Sequence, residues 1–315
     1  MTSKIALIIL LSLFIWLTGC TGPKSAPEAR KKAPAAPKQV MEIRYQFMEK
    51  VGQYSKVQNS KSVSKYDPKG NEIESYQYDT ADNLDQKSLA QYNNKGKQTE
   101  GLDYNADGKL LGKQFYQYDD KGNLVERVNY DGAGQLTDKW LRQNDDRGNM
   151  IEVVYEGPSK PKSKYTYRYD AENKIQEVDG YDADGKLTGK WLYRYDAKGV
   201  RTEWAGLDGE NKLTKKQLYK YDQAGNMIEW ADYDAKGKLD KRSTAKYDAK
   251  GNKLEQDGYN SQGKPVVKEL FKYNAEGSII EQTKYDVKEI SGQIRQLPVY
   301  QFIWQYEYYP AEESK

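Results

Sequence analysis

Histidine is absent from this chain, and cysteine occurs only once, as Cys20. Without histidine the chain lacks the commonest general base and metal-binding imidazole, and no Ser-His or Cys-His pair can form. A single cysteine excludes an intrachain disulfide. Conventional hydrolytic or redox chemistry would have to use carboxylates, lysine and tyrosine. We therefore expect a protein that is not an enzyme and that holds no metal or cofactor.

The chain also lacks an excess of charge of either sign. Its 50 Lys and Arg residues nearly balance its 47 Asp and Glu residues, which leaves a net charge of +3. No large basic surface is expected, and nucleic acid is not an expected partner. The mean hydropathy of −1.01 would suit a disordered chain. The 28 Tyr and 6 Trp residues argue against disorder, because disordered chains are poor in aromatic residues.

Residues 1–20 have the three parts of a secretory signal peptide. Lys4 supplies the charged start, residues 5–17 form an apolar core, and the sequence L-T-G-C ends at Cys20. The core is too short to span a membrane. The closing motif resembles the lipobox of bacterial lipoproteins, which implies cleavage before Cys20, lipidation of that residue and a membrane anchor. Thr21 at the next position implies sorting to the outer membrane, on its periplasmic or surface face. The alternative is a plain signal peptide with an incidental cysteine.

Composition divides the remainder of the chain into four parts. Residues 21–40 are rich in Pro, Ala and Lys and predict an extended tether. Residues 41–64 alternate like strands and predict an N-terminal cap. Residues 65–290 form a repeat array, and residues 291–315 predict C-terminal capping strands and a tail. Atypical terminal units would cover the open edges of the array.

The array has a period of 26 residues, shortened once to 25, and contains nine repeats. Each repeat starts at the first residue of a Y-D-x-x-G-like turn, which we number position 0: Tyr66, Tyr92, Tyr118, Asn144, Tyr169, Tyr195, Tyr221, Tyr247 and Tyr273. A second turn follows near position 12: Tyr78, Tyr104, Tyr130, Tyr155, Tyr181, Leu207, Tyr233, Tyr259 and Tyr285. Two turns per repeat predict about 18 strands of ordinary length. The predicted fold is all-β, with tandem antiparallel hairpins forming a long curled or spiral sheet.

The residues of each turn fit a hairpin with a three-residue loop. Asp is favoured at the first position of a type I turn, and Gly takes the left-handed position that follows, which creates a G1 bulge. The Asp and Gly columns are therefore predicted to be structural. Calcium binding is the alternative, although the spacing matches neither an EF-hand loop nor a glycine-rich nonapeptide.

Two registers of the hairpins are open. The loop type favours one in which even positions share one face, so that the tyrosines of both turns lie together and position 7 stands opposite position 23. The pairs would be Ile73–Leu89, Val125–Leu141, Ile228–Thr244 and Leu254–Leu270. In the other register, displaced by one residue, the Glu at position 8 of every repeat would face a Lys or Arg, as Glu74 would face Lys87, in a ladder of salt bridges.

The recurring Y-x-Y-D-x-x-G-N motif, as at residues 193–199 and 219–226, resembles the RHS/YD repeat family. The G-K-L units at residues 185–187 and 237–239 look like variants of MORN repeats. The resemblance covers about three quarters of the chain, and it implies strands that spiral into a sheet or hollow shell. It also implies a possible role as a shell, chaperone or immunity partner for a secreted toxin. The chain is far shorter than the toxin shells of that family.

The anchor, the tether and the aromatic columns together favour a non-catalytic binding or scaffold module in the cell envelope. Its partner would be a glycan or an envelope protein. The candidate ligand-binding residues are the tryptophans of the array: Trp204, Trp230, Trp191 and Trp140. Trp204 and Trp230 at position 9 are expected on the face away from the tyrosines. The opposing interpretation is that these rings only fill the core. A glycan-active enzyme using Glu203 and Asp208 is a further alternative.

Overall fold

The computed structural model of the protein describes residues 36–158 and 160–310. Cys20, the signal segment and most of the tether lie outside these residues. All 20 regular elements of the described part are strands: β1 (Pro37–Lys50), β2 (Gln53–Tyr66), β3 (Glu72–Tyr78), β4 (Leu84–Tyr92), β5 (Gln98–Asn105), β6 (Leu110–Tyr118), β7 (Leu124–Asp131), β8 (Leu136–Asn144), β9 (Met150–Gly157), β10 (Lys160–Tyr169), β11 (Ile175–Tyr181), β12 (Leu187–Tyr195), β13 (Arg201–Asp208), β14 (Leu213–Tyr221), β15 (Met227–Asp234), β16 (Leu239–Tyr247), β17 (Lys253–Asn260), β18 (Pro265–Tyr273), β19 (Ile279–Ile290) and β20 (Gln293–Tyr308).

The strands form one closed antiparallel barrel. Each strand pairs with the strand before it and the strand after it, and β20 pairs with β1, from Tyr300 opposite Gln46 to Tyr308 opposite Pro37. The all-β fold of consecutive antiparallel hairpins is confirmed. The sheet differs from the expected long curled or spiral one in that it closes, because the pairing of β1 with β20 leaves neither strand as an edge. None of the residues in 36–158 and 160–310 belongs to a helix long and apolar enough to cross a membrane.

The strand pairing also sets the dimensions of the barrel. A path that crosses from each residue to its partner on the next strand returns to its starting strand about 20 residues away from where it began. For 20 strands, this offset corresponds to strands tilted by about 36° from the barrel axis. At about 4.8 Å between strands, the backbone ring is about 40 Å across. After inward side chains are allowed for, a lumen on the order of 25 Å wide remains.

The hairpin turns have the predicted three-residue loops. In the turn after β14, the Gly225 N–H donates to the Asp222 carbonyl at 3.1 Å, and the Asp222 N–H donates to the Asn226 carbonyl at 3.0 Å. Gly225 has a φ of 85°, which a residue without a Cβ adopts freely. The Asp222 carboxylate accepts hydrogen bonds from the side-chain and backbone N–H groups of Asn226, which lower its pKa.

A bulge beside each turn changes the register from the one favoured above. At the turn after β14, Tyr221 stands opposite Met227, but Lys220 stands opposite Glu229, so the paired strand gains one residue. The expected pairs Ile73–Leu89, Val125–Leu141, Ile228–Thr244 and Leu254–Leu270 are therefore wrong. The second member of each pair stands instead opposite the glutamate one position later. The observed pairs are Glu74–Leu89, Glu126–Leu141, Glu229–Thr244 and Glu255–Leu270.

Closure gives the sheet an inner and an outer face. The right-handed twist of strands, together with the direction of the register offset, places Gln217, Tyr219 and Trp230 on the inner face. Glu229 and Tyr233 lie on the outer face. The expectation that the tyrosines of both turns share one face is wrong, because the bulge places the first-turn tyrosines inward and the second-turn tyrosines outward. The exception is Tyr155 in the 25-residue repeat, which faces inward.

The outer face carries the glutamate column between two rows of cations. Glu255 lies 2.7 Å from the Lys246 ammonium and 2.9 Å from that of Lys268. The same arrangement holds in other repeats: Lys65–Glu74, Lys139–Glu126, Lys164–Glu152, Arg168–Glu177, Lys190–Glu177, Arg194–Glu203, Lys220–Glu229, Arg242–Glu229 and Lys272–Glu281. A salt-bridge ladder is thus present, although Glu74 stands opposite Leu89 rather than Lys87.

Closure can be tested by a cross-link between β1 and β20. Ile43 and Ile303 stand directly opposite each other, and such residues have Cα atoms about 4.5–5.5 Å apart, within reach of a disulfide. We expect Ile43→Cys with Ile303→Cys to form an intramolecular disulfide under mild oxidation, seen as a mobility shift on non-reducing gels. Ile43→Cys with Leu192→Cys, on a distant strand, is the control and should not cross-link. Only intermolecular products from the first pair would contradict closure.

The outer ladder should make stability depend on acid pH. Hydrogen bonds from Lys246 and Lys268 lower the pKa of Glu255 to about 2. A lowered folded-state pKa contributes stability that is present above the ordinary value, about 4.5, and is lost as pH falls towards 2. We expect Glu255→Gln to reduce the free energy of unfolding by about 1 kcal/mol at pH 7. The difference from the unmodified protein should vanish near pH 2 in denaturant titrations, and an unchanged difference would contradict the assignment.

Candidate functional site

All five tryptophans among the described residues face the lumen. Trp204 stands opposite Tyr193, and Trp230 stands opposite Tyr219. The expected placement of these two tryptophans away from the tyrosines is wrong, because the bulge beside each turn moves position 9 to the inner face. Both side chains are half-buried rather than exposed. The other three inward tryptophans are Trp140, Trp191 and Trp304.

These rings belong to a continuous surface on the inner side of β8 to β15, which we call the aromatic wall. Its members are Trp140, Tyr155, Tyr165, Tyr167, Trp191, Tyr193, Trp204, Tyr219 and Trp230. The ring centroids of Trp140 and Tyr155 are 4.8 Å apart, those of Tyr155 and Tyr165 are 5.7 Å apart, and those of Tyr165 and Trp191 are 5.9 Å apart. Edge-to-face and tilted contacts at these distances stabilise aromatic pairs.

A glycine in β11 lets two rings of this wall approach the backbone. A Cβ added at Gly180 would stand 3.0 Å from Cε1 of Tyr165 and 3.2 Å from Cζ3 of Trp191. Both contacts are tighter than side chains normally make, so the rings could not keep these positions over an alanine. Gly180 therefore positions Tyr165 and Trp191 within the wall.

The tyrosines of the aromatic wall are shielded from water. Burial raises the pKa of Tyr155, Tyr167 and Tyr193, and the positive charge of Arg142 partly opposes this effect at Tyr155 and Tyr167. The hydroxyl groups consequently stay protonated and available as hydrogen-bond donors at neutral pH. The wall offers flat rings with polar edges rather than a uniformly apolar surface.

The first-turn tyrosines have a structural role. The hydroxyl of Tyr247 donates to the Met227 carbonyl at 2.8 Å, and that of Tyr273 donates to the Lys253 carbonyl at 2.9 Å. Equivalent bonds join other consecutive repeats, at Tyr92, Tyr118, Tyr169 and Tyr195. These six rings fasten their repeats to the preceding ones, as the packing interpretation of the tyrosine column expects.

The inner side of β2 to β4 has a different chemistry. Between the rims it carries hydroxyl and amide groups without large rings, and we call it the serine wall: Ser60, Ser62, Ser64, Ser75, Gln77, Gln86 and Ser88. The inward rings of these strands are Tyr66 and Tyr92, at the rim formed by the first turns. In a ring of 20 strands, β2 to β4 stand opposite β12 to β14. The lumen thus lies between stacked rings on one side and small hydrogen-bonding groups on the other.

Arginines on the inner face were not among the residues predicted from the sequence. Arg127 lies over the Tyr116 and Trp140 rings at 5.6 and 5.0 Å, and Arg201 lies over the Tyr219 ring at 4.8 Å. The signal that could have found Arg127 is its place directly after Glu126, a member of the outward glutamate column. Adjacent residues in a strand face opposite sides, so its side chain must point inward.

The carboxylates considered for catalysis have other partners. Glu203 lies on the outer face, 3.6 Å from Arg194. The Asp208 carboxylate accepts hydrogen bonds from the backbone of Glu210 and Lys212 and so closes a turn. No group of three His, Cys, Asp or Glu residues in the described part of the chain is placed to hold a metal ion. Cys20, the predicted lipidation site, lies outside the residues that the structure describes.

The role of Gly180 can be tested by adding one methyl group. We expect Gly180→Ala to displace Tyr165 and Trp191, to lower stability by about 1–3 kcal/mol and to weaken the near-ultraviolet circular dichroism of the aromatic wall. Gly101→Ala is the matched control, since the nearest atom to its added Cβ is the amide nitrogen of Gln98 at 3.4 Å, on a flexible side chain. Equal effects of the two substitutions would contradict a specific role for Gly180.

No family model matches the chain, and no curated protein matches its sequence. Among solved structures, a porin-like protein from Bacteroides uniformis is similar over 87% of this chain and 99% of its own, with 9% identity and a TM-score of 0.38. The TcdB2–TccC3 structure is similar over 81% of this chain and 20% of its own, with 12% identity and a TM-score of 0.24. The Photorhabdus luminescens Tc holotoxin pore is similar over 76% and 20%, with 11% identity and a TM-score of 0.21.

Proposed function

We propose that this protein is a lipoprotein of the bacterial cell envelope that binds a glycan inside its barrel without catalysing a reaction. The observation that carries the proposal is the aromatic wall, whose rings line one side of the lumen. Flat rings with polar edges suit sugars, because a ring face can contact the C–H groups of a sugar while hydroxyl and indole N–H groups bond to its oxygens.

The serine wall supports the same ligand class. Serine hydroxyls and glutamine amides both donate and accept hydrogen bonds, as sugar hydroxyl groups do. A lumen on the order of 25 Å wide admits a hydrated oligosaccharide chain, since barrels of 16 or more strands leave an aqueous channel. A glycan strand would then contact rings on one side and, directly or through water, polar groups on the other.

The proposed anchor would set the orientation of the barrel. β1 begins at Pro37, on the rim formed by the first turns of the repeats. Lipidation of Cys20 would tie that rim to the membrane, proposed to be the outer membrane, through residues 21–36. Fully extended, this tether would reach about 55 Å. The long β1–β2 and β19–β20 hairpins extend from the opposite rim and would point away from the membrane.

A protein partner is the second candidate, in line with the scaffold and toxin-shell alternatives. The observation that favours it is the closed ring itself, since a lumen of this width could enclose an extended polypeptide. Exposed apolar residues at the two long hairpins, such as Val51 and Ile294, would suit contact with a protein.

The glycan proposal is tested by removing Trp204 and Trp230 together. We expect Trp204→Ala with Trp230→Ala to lower the affinity for envelope oligosaccharides at least tenfold in calorimetric titrations, because two ring contacts are lost. Tyr233→Ala with Tyr259→Ala, on the outer face, is the control and should leave affinity unchanged.

Other outcomes of this experiment decide between the candidates. If no oligosaccharide binds the unmodified protein while affinity purification recovers an envelope protein that the tryptophan variant no longer captures, the scaffold function replaces the glycan proposal. Oligosaccharide binding that survives in the tryptophan variant would instead contradict the aromatic wall as the site.

A further inference from the structure

The arginines of the two faces have different surroundings. The outward arginines Arg168, Arg194 and Arg242 each form an ion pair with a glutamate of the outer ladder. The inward arginines Arg44, Arg127, Arg142 and Arg201 have no carboxylate oxygen within 4.0 Å among the described residues. The barrel thus pairs its outward guanidinium groups with carboxylates and leaves the inward ones without a carboxylate in direct contact.

The direct contacts of Arg127 are with neutral groups, which in turn donate to inward carboxylates: Asn129 to Asp138 at 2.7 Å and Gln114 to Asp103 at 3.4 Å. The Arg127 Nε donates to Asn129 at 3.1 Å, and one terminal nitrogen donates to Gln114 at 3.2 Å. The guanidinium also lies between the rings of Tyr116 and Trp140. These contacts fix the plane of the guanidinium and leave N–H groups for another acceptor, since a guanidinium has five.

Arg142, in the next strand, carries an unsatisfied donor. Its Nε is buried and has no hydrogen-bond partner. It stands opposite Val153, which is 1% exposed, on the inner face beside the aromatic wall. A buried donor without an acceptor costs about 1–3 kcal/mol, and more when it is charged. An acceptor supplied by a ligand would remove that cost.

The inner face of the four strands that follow Arg142 contains no carboxylate that could fill this role. From β9 to β12 the inward residues within the strands are aromatic, aliphatic, glycine, or neutral and polar: Met150, Val153, Tyr155, Ser163, Tyr165, Tyr167, Tyr169, Ile175, Val178, Gly180, Gly189, Trp191, Tyr193 and Tyr195. Further along the wall, Arg201 lies over the Tyr193 and Tyr219 rings. Inward arginines therefore flank a stretch of rings that offers no carboxylate.

We propose that this part of the lumen binds an acidic glycan, with Arg127 and Arg142 receiving its anionic groups while the aromatic wall contacts its sugar rings. The anionic group is a carboxylate, sulfate or phosphate, which a planar guanidinium holds with two hydrogen bonds. The inference rests on the proposed glycan function and adds the charge of the ligand to it. Arg201 would extend the site towards Trp204 and Trp230.

The test compares acidic and neutral oligosaccharides of equal length on the full-length protein. The probes are oligogalacturonate for carboxylates, sulfated maltooligosaccharide for sulfates, teichoic acid fragments for phosphates and unmodified maltooligosaccharide as the neutral probe. We expect at least one acidic probe to bind at least tenfold more tightly than the neutral probe at 50 mM salt. Salt at 500 mM should remove most of that difference by screening.

Arginine variants locate the effect within the barrel. We expect Arg127→Gln with Arg142→Gln to lower affinity for the acidic probe at least tenfold and to leave affinity for the neutral probe within twofold. The control, Arg194→Gln with Lys220→Gln, removes an equal number of positive charges from the outer face. It should change the affinity for neither probe. Arg142→Lys keeps the charge but not the planar fork, and we expect it to recover only part of the binding. Near-ultraviolet circular dichroism checks that each variant is folded.

The outcomes separate this inference from the function on which it rests. Equal binding of acidic and neutral probes, with no effect of the inner arginine variant, overturns the acidic site and leaves the glycan function intact. Absence of binding to every oligosaccharide overturns both. Binding of a single-stranded oligonucleotide more tightly than any saccharide, with loss in the inner arginine variant, would assign the arginines to another class of ligand and also overturns the inference.

Discussion

A one-residue bulge beside each hairpin turn is the constraint on which the remaining structure depends. Side chains of a strand alternate between faces, so one additional residue exchanges the faces of everything that follows it. In this chain the bulge turns Glu229 outward, between Lys220 and Arg242, and turns Trp230 inward. Because the same bulge recurs in every repeat, the glutamates of position 8 form one column on the outer face and position 9 faces the lumen throughout.

Closure depends on how these local registers accumulate around the ring. Each hairpin contributes a small offset, and the sum must bring β20 beside β1 with side chains facing the correct way. The terminal strands meet this condition with contacts that no repeat has. The Trp304 Nε1 donates to Glu42 at 2.8 Å, and the Tyr309 hydroxyl donates to the Tyr66 carbonyl. The aromatic C-terminal strand thus fastens the ring across its seam rather than covering an exposed edge.

Local features of this fold could be predicted from the sequence, and non-local ones could not. The Y-D-x-x-G motif specifies the loop, and its spacing specifies the strands, because turn chemistry acts over four or five residues. The register could not be predicted, since the loop leaves the neighbouring bulge undetermined. For this reason the sequence predicts the wrong face for Trp204 and Trp230, although it indicates both as candidate binding residues. The pairing of β1 with β20 joins residues more than 250 positions apart and leaves no local signal.

The two faces also differ in how closely they follow the repeat. On the outer face position 8 is glutamate in all nine repeats. On the inner face position 9 carries Ser75, Gly101, Arg127, Val153, Val178, Trp204, Trp230, Gln256 and Gln282 in turn. A column that only holds strands together can be uniform, because every repeat has the same neighbours. A surface that orients an asymmetric ligand must differ from one repeat to the next. In the lumen, rings with arginines among them occupy one arc and serines occupy another. The glutamate column that holds the strands together and the proposed recognition surface thus lie on the two sides of a single sheet.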